Sequence, residues 1–203
     1  GKSWTLDSYS RASRLSYLLW DTTPDAALLK AAGTGELAKA DGVAAQVDRL
    51  MASPRLATGM RAFYADFLEL DAQVVKDPTF YPKYSEAVAD AAREETLHTM
   101  VDLTLGRQED LRDLLTTRKT YINRALAAVY GVPYNFDSEW VPYEFSADSG
   151  RSGILTQVTF LSLFSHPNRS SPTKRGVALL DIFLCQPTPL PPPNVDFSIV
   201  NDI

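Results

Sequence analysis

From Asp7 to Gly131 the apolar residues recur mainly with the 3.6-residue period of a helix, in segments broken by glycine, proline and short polar runs. That punctuation constrains the chain more than any single residue does. Each segment has one apolar stripe to bury, and packed helices bury such stripes against one another. Asp7 is placed to cap a helix reaching about Trp20, with Tyr9, Ala12, Leu15 and Leu19 near one face. A hydroxyl residue followed by proline occurs three times, at Thr23-Pro24, Ser53-Pro54 and Ser171-Pro172. Each pair predicts a helix start, because proline at the first helical position forfeits no hydrogen bond. Gly33 and Gly35 should end the second helix, and Asp41 should open a third carrying Val43, Val47, Leu50 and Met51. A fourth is expected from Pro54 through Phe63, Tyr64 and Phe67, its aromatics in the core. The longest should span about Lys83 to Leu105, ended by Gly106.

The pattern then shifts. A turn near Leu111–Leu115 precedes a helix expected over Tyr121–Tyr130, stopped by Gly131 and Pro133. Trp140 to Phe145 reads as a short strand or extended arm. Ile154–Phe164 is apolar enough for a buried helix, and Thr173–Cys185 for a last one. Pro187 to Pro193 is too proline-rich for anything but extended, polyproline-like chain. The fold class is therefore mostly α: a multi-helix bundle with a short extended or β arm and a C-terminal polyproline tail. The division expected is 1–133 for the helical part and 134–203 for an adjoining part. The abrupt end after the proline tract suggests a linker leading to a further domain.

Composition narrows the partners. The 203 residues carry 20 Lys and Arg against 25 Asp and Glu, a formal charge of −5. Nucleic-acid binding needs a basic field, so it is not the expected role. No run approaches the ~20 apolar residues of a membrane span. One cysteine, Cys185, permits neither an internal disulfide nor a multi-cysteine metal site. It reads as a buried thiol on an apolar helix, or as one whose partner lies outside the chain.

Two clusters carry candidate chemistry. Glu95, His98 and Asp102 follow i, i+3, i+7 spacing and share a helix face. Two carboxylates and an imidazole can ligate a metal, and Glu95-x-x-His98 matches the element used in carboxylate-bridged di-iron bundles. Those bundles repeat the element; the other histidine, His166, has Leu163 at the matching position. The plainer reading is a solvated face with local Glu–His pairing. The second cluster is His166, Arg169, Ser171, Lys174 and Arg175, a polar loop running into a capped helix start. Cations beside first-turn amides suit an anion or an acidic partner; otherwise they are solvated or paired locally. No Gly-x-Ser-x-Gly elbow or phosphate-cradling loop is present, so the chain alone leans away from being an enzyme.

Several stretches resemble known families. Ala12 to Trp20, with Pro24-Asp25 and Leu28-Leu29, and then Thr120 to Gly131, resemble domain of unknown function 1592. Gly153-Ile-Leu-Thr-Gln157, Ser165 to Gly176 and Pro191-Pro-Pro-Asn-Val195 resemble domain of unknown function 1588. Such pairs belong to large multidomain, cytochrome c-like proteins of planctomycetes and myxobacteria. The resemblance implies an extracytoplasmic place, periplasmic or outer-membrane associated. It implies no haem on this chain but haem c in a region downstream. Other domains of the same polypeptide, or subunits of an envelope complex, are the implied partners. Cys185 would then find a cysteine downstream. The resemblance assigns no activity to particular residues; a metal-dependent enzyme and an interaction subunit remain the alternatives.

Overall fold

The computed structural model describes residues 5–72, 75–136 and 138–189, and the proline tract beyond Pro189 lies outside them. The architecture is mostly helical. Helices α1 (Ser8–Trp20), α2 (Ala26–Gly33), α3 (Ala40–Met51) and α4 (Leu56–Phe67) are followed by the long α5 (Glu86–Val101). Strand β1 (Lys119–Ile122), α6 (Arg124–Tyr130), strand β2 (Val141–Glu144), α7 (Val158–Leu163) and α8 (Pro172–Ala178) complete the order. The two strands pair antiparallel, with Lys119 opposite Glu144 and Ile122 opposite Val141.

Local chemistry explains most boundaries. Asp7 accepts from the Ser10 amide at 2.8 Å and caps α1 as expected. α2 is capped by Asp25, which accepts from Leu28 N at 2.9 Å, rather than by Thr23. A carboxylate next to the first apolar turn wins that position from the hydroxyl two residues earlier. The Ser53 hydroxyl accepts from Arg55 N, in a turn before α4, and α4 itself starts without a side-chain cap. α3 begins one residue before Asp41. The third hydroxyl–proline pair behaves as expected: Ser171 caps α8 with Pro172 in its first turn. Ser85 caps α5, whose end loosens into a π turn over Asp102–Gly106.

Three expectations need correction. Tyr121 and Ile122 are strand, not helix, because Lys119–Ile122 alternates exposed and inward residues and finds a partner in 141–144. Asn123 then starts α6 by accepting from Leu126 N at 3.0 Å. Ile154–Phe164 is split: a 3₁₀ turn at Ile154–Thr156 and α7 are separated by Gln157 in extended conformation. The last helix stops at Ala178 and passes through a π turn at Leu179–Phe183, leaving Cys185 outside it.

Three apolar clusters hold the fold. The N-terminal one gathers Ala12, Trp20, Leu28, Leu37 and Leu50, with the Trp20 indole donating to Leu50 O at 2.9 Å. The second joins Tyr64, Leu68, Leu97, Met100 and Leu114 to Ile154. The third joins Val88, Ala92, Ile122 and Leu126 to Val141 and Val158. The last two draw residues from both sides of position 133. Phe63 and Phe67, expected in the core, are 55% and 41% exposed and stack on each other; Tyr64 between them is buried.

Candidate functional site

Glu95 and His98 lie on α5 and Asp102 just beyond its end, and the three meet different neighbours. Glu95 turns inward and is 0% exposed. Its Oε1 accepts from Thr120 Oγ1 at 2.7 Å, and its Oε2 from the Tyr130 hydroxyl at 2.6 Å. The bonds continue outward. Thr120 Oγ1 receives Gln157 Nε2 at 3.1 Å, Gln157 Oε1 accepts from Thr96 at 2.8 Å, and the Tyr130 oxygen accepts from Val158 N at 3.1 Å. The Arg151 guanidinium lies 4.5 Å from the centre of the Tyr130 ring. Burial raises the Glu95 carboxyl to about 7, against the pull of Tyr130, Thr120 and Arg151. Burial, followed by the adjacent carboxylate, pushes the Tyr130 hydroxyl well above its ordinary value.

His98 sits outside this network. Its ring packs against Tyr121 at 5.4 Å and Trp140 at 5.1 Å between centroids. Burial and the Arg61 charge hold it below the usual imidazole range, against the pull of Glu94. Asp102 pairs with Arg107 at 2.8 Å, and Arg107 also reaches Glu109. Seven residues separate Glu95 from Asp102, about 10 Å along a helix axis, and the π turn shifts Asp102 further. The structure thus does not bring the three together. Among the described residues no group of three His, Cys, Asp or Glu side chains is placed to hold a metal ion.

The second cluster is assembled, and enlarged. Ser171 accepts from Lys174 N at 3.3 Å as the cap of α8. His166 N donates to Arg169 O at 3.0 Å, closing the loop, and Arg175 donates to Ser170 Oγ at 3.0 Å. Lys76 joins from the far side of the sequence. Its ammonium donates to Ser165 Oγ at 2.6 Å and to His166 O at 3.0 Å, and Asp77 N donates to Pro167 O at 2.9 Å. Burial and then Lys174 depress the Lys76 ammonium. His166 is lowered by desolvation and by Lys174, Arg169 and Lys76 in turn. Four positive or titrating groups therefore face one another. Lys76 carries no sequence signal for this, since its partners lie about ninety residues away. Cys185 is exposed at φ 51°, not buried on a helix.

Residues 6–132 match the model of PSD4, a protein of unknown function (DUF1592), over more than half of the chain. The chain belongs to the DUF1592 family. Residues 151–202 match PSCyt3, a protein of unknown function (DUF1588), in tandem with the first. The Glu95 network therefore joins the two segments: Glu95, Thr120 and Tyr130 come from the first, Arg151, Gln157 and Val158 from the second. No curated protein matches the chain, and no solved structure does. Among the described residues no helix is long and apolar enough to cross a membrane.

Proposed function

We propose that this DUF1592–DUF1588 pair is a non-catalytic scaffold of an extracytoplasmic, multidomain cytochrome c-like redox protein. In this reading it positions a haem-bearing region or a partner subunit. The observation that carries the reading is the cationic face built from both segments, with Lys76 tied to the Ser165 hydroxyl and the His166 carbonyl near Lys174 and Arg169. On a chain of net charge −5, a local positive face suits an acidic partner or a haem propionate. The chemically strongest buried group, Glu95, is occupied in joining the two segments.

Intact mass and a visible spectrum of the protein from its native source test the assignment. A mass well above 22.4 kDa with a haem Soret band is the expected result. A mass near that value without a chromophore overturns it. Charge reversal at Lys174 and Arg175 should then weaken association with the haem-bearing part, most strongly at low ionic strength. Association unchanged by the reversal removes the docking role.

A further inference from the structure

A groove of about 670 Å³ lies between the start of α5, residues 70–72 with 75–76, and α7, so both family segments wall it. Its charges do not cancel in place. Arg93 is taken up by Asp71 and Glu94. Glu86 and Asp90, one turn apart on α5, line the same groove, and among the described residues neither has an ion-pair partner. At the other side Lys76 uses two of its three ammonium hydrogens, on Ser165 Oγ and His166 O. Thr159 lines the groove at 6% exposure, and its buried hydroxyl has no hydrogen-bond partner among the described residues. A buried hydroxyl without a partner is costly, and a ligand or water that satisfies it gains accordingly.

The charges select the ligand. A simple anion meets Glu86 and Asp90; a simple cation meets Lys76. A molecule with an ammonium at one end and a carboxylate at the other answers both. The volume exceeds what such a molecule needs, and sites of this kind form where two segments meet. We propose that the groove binds a small zwitterion of the amino-acid or dipeptide class, its ammonium toward Glu86 and Asp90 and its carboxylate toward Lys76 and the Thr159 hydroxyl.

Titration calorimetry of the full chain with alanyl-alanine tests this, with the N-acetylated and C-amidated dipeptides as controls. The dipeptide should bind, and blocking either terminus should weaken it about tenfold or more, the loss of one charge-assisted contact. Asp90→Asn should weaken the free dipeptide while leaving the already weak N-acetylated form unchanged. Thr159→Val, nearly the same shape without the hydroxyl, should fold normally and bind more weakly. Charge reversal at Arg175 alone, which donates to Ser170 and lines no part of the groove, should leave dipeptide binding intact, which separates this proposal from the docking reading. No heat up to about 10 mM dipeptide overturns it. So does binding that ignores both blocked termini.

Discussion

Glu95 shows how one side chain serves two opposed demands. Thr120 and Tyr130 both donate to it, an arrangement suited to the ionised form, yet complete burial favours the neutral one. The carboxyl titrates near 4.5 in the unfolded chain and near 7 in the folded one. Between those values the folded state holds the extra proton. The contribution of Glu95 to stability is therefore complete below about pH 4.5 and is lost as pH rises to about 7. Glu95→Gln keeps the hydrogen-bonding shape without the charge. It should be more stable than the parent at pH 8 by on the order of 2–3 kcal/mol, and equal to it near pH 4. Urea unfolding at the two values checks this; a variant less stable than the parent at pH 8 contradicts it. His98 and His166 are shifted downward and act in the opposite direction, losing stability as pH falls below the ordinary imidazole range. The difference between variant and parent isolates the carboxyl from both. Ser16 is a simpler case: it is 0% exposed on α1, and its hydroxyl has no partner among the described residues. Ser16→Ala should raise stability by about 1 kcal/mol, read as a higher denaturation midpoint with an unchanged slope.

Elements meet here at glycines as much as at apolar side chains. α1 and α4 cross so closely at Gly59 that a Cβ would stand 2.2 Å from Leu19 O. Backbone cannot yield as a flexible side chain does. Gly59→Ala should therefore cost about 2–3 kcal/mol or more, although alanine is the better helix former. A melting temperature unchanged or raised in that variant would mean the two helices are free to separate. Gly153 does similar work for the second segment. Its φ of 68° and the hydrogen bond its N–H donates to Thr117 O at 2.7 Å bring Gly153 against the backbone of Leu115, the end of the 3₁₀ turn at Leu111–Leu115. The pairing of β1 with β2 depends on such contacts. Four residues of strand are too few to persist alone, and only partners nineteen or more residues away make Lys119–Ile122 a strand. That is why helical spacing misread Tyr121 and Ile122, while the caps at Asp7 and Ser171, being local, were readable from the chain.

The two family segments share their interior, and this predicts how the molecule unfolds. Ile154 packs with Leu97 and Met100, and Val158 with Val88 and Leu126, while the Glu95 network crosses the same joint. Residues of both segments should lose structure in one transition. Trp20 reports the N-terminal cluster and Trp140 the sheet against His98. Fluorescence of single-tryptophan variants retaining each in turn should give the same midpoint as far-UV circular dichroism. Two separated midpoints would show that the N-terminal cluster unfolds apart from the sheet. Sequence alone determined the helical class, the helix starts at Asp7 and Ser171, the extended arm at 140–145 and the paired families, because period, caps and motifs are written in neighbouring residues. The destinations of Glu95, Lys76 and Cys185 were set by tertiary packing. Which way a helical carboxylate turns, and which loop receives a lysine ninety positions away, depend on the free energy of whole surfaces coming together; no local pattern encodes them.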